Sequence, residues 1–222
     1  MKKAFLGVTL MAALLPALTA CGKADYTKYL SEVKSDLFLC ETEEFSCSLA
    51  CISREYPYLN DGVAAEKTNV VEIVLESKIG NNYDFTVTAT AEHFSVGGDT
   101  SFRNTSGDFY FSQGVKAFPS GSVVLTVQWE DESRELVATT IKNENTLSPE
   151  EALSFAVASE KETIDKMKQN GAFAGEFRVR ILRRDKNYYY VGIVARDGSE
   201  LALLLDGESG KTLARRQFEK IG

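Results

Sequence analysis

The side chains in this sequence with chemistry to offer are four cysteines, a single histidine and several close pairs of carboxylates. Cys40, Cys47 and Cys51 lie close together, with six and three residues between them. On a strand over residues 45–52, Cys47 and Cys51 would share a face but sit ~13 Å apart at ~3.3 Å per residue, too far for a bond. A tight hairpin with Glu43 and Glu44 at its tip would instead set Cys40 opposite Cys47. A cross-strand disulfide between those two is then possible in an oxidising compartment, with one thiol left over. Three thiolates could also hold zinc or an iron–sulfur centre, but such sites use a fourth ligand and paired C-x-x-C spacing, and the only histidine, His93, is distant. Buried cysteines, with or without one disulfide, are expected, and no metal or other cofactor.

The carboxylate clusters Glu130-Asp131-Glu132 and Glu41-Glu43-Glu44 could bind a cation or act as acid and base. Both fall where hairpin tips are expected, so solvated turn charges explain them better. His93 follows an alternating segment and has no serine or cysteine motif that would make it a general base. Gly210-Lys211-Thr212 ends like a phosphate-binding loop, but Leu205 stands where that loop needs glycine, and a strand rather than a helix is expected to follow. The segment "REYPYLNDG", residues 54–62, places Tyr56 and Tyr58 around Pro57 in a loop that could contact a carbohydrate or peptide, or could simply be pinned to the body by its rings. Arg178, Arg180, Arg183, Arg184 and Lys186 read as the solvent side of a strand plus a turn, able to dock on an acidic neighbour.

The elements that must position these groups change character along the chain. Phe85, Val87, Ala89 and Ala91 alternate with polar residues, as do Val123, Leu125, Val127 and Trp129, which is the period of half-buried strands. Residues 70–76, 108–112 and 134–141 are further strand candidates, separated by turn-rich pieces such as Gly80-Asn81-Asn82 and Gly97-Gly98-Asp99. Short strands at this spacing predict a small antiparallel, Ig-like β-sandwich. Ahead of them, Tyr26, Tyr29, Leu30, Val33 and Leu37 recur at helical intervals and predict a short amphipathic helix. Ser148, Pro149 and Glu151 form a capping box that starts a second helix, with Leu153, Ala156, Val157, Ile164 and Met167 as its buried stripe and Asn170-Gly171 as its stop. Strands over 177–183, 188–196, 200–205 and 212–218 follow, with Asp197-Gly198 as a hairpin turn. The expected class is α+β, with residues 21–147 as the β-sandwich and its short helix, and residues 148–222 as a helix-plus-sheet unit.

Charge supports that division. Residues 22–147 hold 10 basic and 20 acidic side chains, and residues 148–222 hold 13 and 12. The whole chain carries −7, and loss of Lys2 and Lys3 would bring it to −9. Such a surface repels phosphate backbones, so no nucleic-acid partner is expected.

The N-terminus has the order of an export signal: Lys2 and Lys3, then an apolar run from Ala4 to Ala17. The 14 residues of that run fall short of the roughly 20 needed to cross a hydrocarbon core. Leu18-Thr19-Ala20-Cys21 resembles the lipobox of bacterial lipoproteins in every position. That resemblance implies a signal peptide over residues 1–20, cleavage between Ala20 and Cys21, and a diacylglycerol on the Cys21 sulfur. The implied location is the extracytoplasmic face of the cell membrane, held by that lipid.

The segments "YYYVGIVARDG" and "LLLDGESGKTLARR" after a capped helix resemble the PepSY-type module of exported bacterial proteins over about residues 148–216. That likeness implies a cystatin-like helix wrapped by a sheet, and for some such modules inhibition of peptidases. The extra stretch between Gly171 and Arg184 departs from the simplest pattern. The mature chain also resembles Gram-positive surface lipoproteins to which no activity attaches. The functional expectation is a non-enzymatic binding or accessory module with an unidentified envelope protein or peptide as partner. The alternatives are an inhibitor or chaperone of an exported peptidase, and an envelope hydrolase using paired carboxylates.

Overall fold

The computed structural model describes residues 25–56, 59 and 61–219. Strand makes up 56% of it and helix 10%. A 3-10 turn, Thr27–Tyr29, leads into β1 (Leu30–Glu41), which forms a hairpin with β2 (Phe45–Glu55) and is followed by β3 (Lys67–Ser77). Next come β4 (Thr86–Ala91), β5 (Phe94–Asp99), β6 (Ser101–Arg103), β7 (Asp108–Gly114), β8 (Val123–Trp129) and β9 (Glu132–Thr140). Two helices, α1 (Pro149–Ser159) and α2 (Lys161–Lys166), precede a small hairpin of β10 (Lys168–Gln169) and β11 (Ala172–Phe173). The chain ends in a meander of β12 (Gly175–Arg183), β13 (Asn187–Ala195), β14 (Glu200–Asp206) and β15 (Thr212–Phe218).

Thirteen of these strands form one sheet whose hub is β1. Along one edge β1 pairs with β2, from which β3, β7 and β6 continue. Its other edge is shared. The first half pairs in parallel with β12, Leu30 opposite Phe177 and Lys34 opposite Arg180, while Phe38 and Leu39 pair with β9. From β9 the ladder runs on through β8 and β4 to β5. Only Thr100 separates β5 from β6, so the chain turns the corner there and brings the two arms of the sheet face to face. Gly98 lies so close to Phe111 that a Cβ would come 2.9 Å from that ring. The result is a nearly closed, barrel-like sheet filled by Phe38, Phe45, Leu49, Phe85, Phe109, Leu125 and Trp129. Phe85 packs edge-on to Phe45 and Phe109, with ring centroids 5.7 and 4.7 Å away.

This architecture overturns the expected α+β arrangement of an Ig-like β-sandwich followed by a PepSY- or cystatin-like module. The two regions share one continuous, mostly antiparallel sheet instead. The cause is β1. Its first half joins β12, so Leu30 and Val33 pack in the second apolar cluster with Phe177, Val179, Tyr189, Leu201 and the α1 residues Ala152, Leu153 and Ala156. Phe38, from the same strand, packs in the first.

The helix predicted over Tyr26–Leu37 is also replaced, apart from one 3-10 turn, by this strand. Register shifts between Leu30 and Glu32 and between Lys34 and Asp36 each insert a residue that breaks strict alternation. Residues three apart then face the same core, which imitates a helical period. Further on, Ser148 caps α1 as expected: its side chain accepts from Glu151 N–H, and Glu151 accepts from Ser148 N–H. The helix breaks at Glu160, however, and Asn170 and Gly171, both at positive φ, form the tip of the β10–β11 hairpin rather than a helix stop. The predicted meander is present with its hairpin turn at Asp197-Gly198.

Candidate functional site

Ala20 and Cys21, the predicted cleavage and lipidation residues, lie outside the described residues, as does Tyr58. Cys40 and Cys47 are direct cross-strand partners, as the hairpin argument required. Thr42 N–H donates to Phe45 O at the hairpin end, so by ladder alternation the Cys40 and Cys47 backbones form a hydrogen-bonded pair two steps on. Such pairs sit ~5.5 Å apart at Cα, within the range a disulfide spans. Both are present as thiols, with Cys40 Sγ 3.9 Å from the Cys47 carbonyl. Cys40 is the more exposed, and its contact with the Cys47 thiol holds it below the usual thiol range; the same contact, with burial, pushes Cys47 up. Cys51 is buried four residues along, and burial, helped by Asp36, raises its thiol to about 12.

The two acidic clusters meet at one end of the barrel. Arg134 lies between them, 2.9 Å from Glu44 and 3.2 Å from Glu132, and all three side chains are well exposed. The adjoining open hollow of 340 Å³ is lined by Asp84, Gln128, Trp129 and residues 130–133. His93 stands at the exposed β4–β5 hairpin tip with φ +57°. Asp206 accepts from the Ser209 N–H and hydroxyl, making the 205–212 segment a β-hairpin turn. Among the described residues, no group of three or more His, Cys, Asp or Glu side chains is disposed to hold a metal ion.

Sequence reasoning missed the most unusual constellation in the molecule. On the sheet face away from α1, β12 presents Glu176, Arg178 and Arg180 while Phe177, Val179 and Ile181 fill the core behind them. Far from being solvated, Glu176 is 0% exposed and Arg178 7%. Arg178 reaches Glu176 at 2.9 Å and Glu200 of β14 at 3.5 Å. Tyr190 of β13 donates to Glu200, and Arg180 is paired with Glu32 of β1. Gly192 leaves room for this arrangement, because a Cβ there would stand against the Glu200 carboxylate and displace it.

Glu55, 2% exposed, closes the group from the end of β2. Its Oε2 accepts from Ala65 N–H at 2.9 Å and so fastens the connection between β2 and β3 across this face. Glu55 Oε1 and Glu176 Oε2 are buried without a hydrogen-bond partner among the described residues. Burial is the main reason the Glu176 carboxyl sits above its usual range, outweighing the opposing pull of Arg178. A signal for this cluster was present in the strict alternation of 176–181, but its partners Glu32, Glu55 and Glu200 come from three other strands.

The connection itself, residues 56–66, carries Tyr56, which is 85% exposed and so is not a ring pinned to the body. Gly62 has φ +70° and sits against the end of β13, where a Cβ would lie 2.6 Å from Arg196 N. A hollow of 260 Å³ opens beside it, lined by Lys28, Tyr29, Val63, Phe173 and Arg196. Comparison with protein-family models, curated proteins and solved structures finds no match to the chain.

Proposed function

We propose that the protein is an extracytoplasmic lipoprotein, held at the cell membrane by a diacylglyceryl group on Cys21, that acts as a binding or accessory module without catalysis of its own. The observation that carries this reading is the order Lys2-Lys3, apolar run, Leu18-Thr19-Ala20-Cys21, set nine residues ahead of the hub strand β1. Two acyl chains hold a water-soluble body stably where one would not, at ~0.8 kcal/mol per buried CH₂. No described helix is long and apolar enough to cross a membrane.

The fold supports a binding role through what it exposes. The acidic tips of β1–β2 and β8–β9 lie together at the end of the barrel remote from residue 25, where they can meet a basic surface on an envelope protein or peptide. Mass spectrometry of the mature N-terminal peptide, with fractionation of intact cells, tests the anchor. A diacylglyceryl cysteine in the membrane fraction is expected, and an unmodified Cys21 thiol would remove the reading.

A further inference from the structure

The body is described from Asp25 onward, four residues after Cys21. Whatever path those residues take, they span at most ~14 Å. If Cys21 is acylated, the end of the body where β1 begins must therefore lie at the headgroup layer. That end has a defined surface. β2 runs antiparallel to β1, so Glu55 returns to the end of the body where β1 begins, and residues 61–66 lead from there into β3. Gly62 is seated on Arg196, Ala65 N–H on Glu55, and Val63 N–H donates to Asp61 at 2.9 Å. At this end Tyr56, Leu59 and Val63 are 85%, 51% and 51% exposed.

Phe218 closes β15 at the same end, opposite Glu200, and is exposed beneath the Arg216 guanidinium at 4.8 Å. Lys28 and Arg196 border the hollow next to Val63. The opposite end, ~36 Å away along β1 at ~3.3 Å per step, carries the acidic tips. Single exposed apolar residues are ordinary on any surface. Three within eight residues are not, when the loop holding them is fastened at the end of the body tied to the anchor.

The geometry points to Tyr56, Leu59 and Val63 as a membrane-contact surface. Tyr56, Leu59 and Val63 enter the interface of the outward-facing leaflet, the tyrosine ring at headgroup depth, while Lys28 and Arg196 lie beside lipid phosphates. This inference rests on the lipid-anchor reading. It fixes one orientation of the body, with the acidic end outward, where the acyl chains alone would leave it free to tumble.

The test uses the lipidated chain purified from membranes and reconstituted into phosphatidylcholine–phosphatidylglycerol vesicles with or without brominated acyl chains. Trp129, the only tryptophan, packs against Phe45 at the remote end and serves as the internal control. In Tyr56→Trp the added indole should be quenched roughly twofold by brominated lipid, as for a ring ~5–10 Å into the headgroup–acyl boundary, and Trp129 of the parent not at all. Adding Leu59→Asp and Val63→Asp should abolish the quenching without changing the acylated mass of the N-terminal peptide. Equal emission from Tyr56→Trp in both vesicle types, with the acylated mass present, overturns this contact surface and leaves the anchor standing. A free Cys21 thiol overturns both.

Discussion

Replacing Arg178 with methionine, which keeps an unbranched apolar stem but removes the guanidinium, should be far more damaging than neutralising the carboxylate it touches. Glu176 and Glu200 both reach Arg178, Glu55 is buried near enough to Glu176 to raise its carboxyl further, and among the described residues one oxygen each of Glu55 and Glu176 lacks a partner. The cluster therefore holds more negative than positive charge in a region from which water is excluded. Arg178→Met leaves buried carboxylates uncompensated, a loss on the order of 3–5 kcal/mol at pH 7. At ~2–4 °C per kcal/mol for a chain of this size, Tm falls by roughly 6–20 °C. Glu176→Gln removes the charge that burial most opposes and leaves Arg178 with Glu200, so its cost should stay within about 1 kcal/mol.

The pH dependence follows in sign. Glu176 is raised above its ordinary 4.5, so between 4.5 and the raised value the folded state binds more protons than the unfolded one. The Glu176 contribution to stability is therefore fully present below 4.5, falls as pH rises through that window, and is constant above it. Urea denaturation of soluble residues 22–222 at pH 5 and 7.5 reads both effects. The Arg178→Met deficit should be smaller at the lower pH, because protonation of Glu176 is the direction in which its burial already pushes it, and Glu176→Gln should lose the slope that the parent shows. Equal losses for the two variants at pH 7, or a parent and Glu176→Gln with the same pH slope, would refute this account of the cluster.

Mild oxidation should join Cys40 to Cys47 and leave Cys51 reduced; peptide mapping after alkylation checks the pairing, and the closed eight-residue loop should add ~2.5 kcal/mol to stability on a chain-entropy account. Phe85→Ala, at the centre of the aromatic packing inside the barrel, should cost ~3–5 kcal/mol in denaturant unfolding, whereas Val137→Ala on the exposed face should stay within ~0.5 kcal/mol. Gly62→Ala places a methyl against Arg196 at a positive φ, so it should release the connection between β2 and β3: limited proteolysis within 56–66 accelerates several-fold while Tm moves by only a few degrees, and an unchanged cleavage rate would count against the seating of Gly62.

The sequence by itself settled whatever is encoded between near neighbours. Alternation placed most of the half-buried strands, the Ser148–Glu151 box started α1, and hairpin geometry set Cys40 against Cys47. It also supplied Leu18-Thr19-Ala20-Cys21, the stretch on which the proposed anchor rests, which no feature of the folded body restates. Tertiary structure decided the pairings made at long range. β1 is half one core and half the other because β9 and β12, whose paired residues lie a hundred or more positions further along the chain, divide one of its edges between them, and the register shifts in β1 erase the local period. Arg178 read as a solvated charge for the same reason. Whether a charged side chain on an alternating strand meets water or carboxylates depends on what crosses its face, and here Arg178 meets Glu176 of its own strand and Glu200 of β14, with Glu55, about 120 residues earlier in the chain, buried close to Glu176.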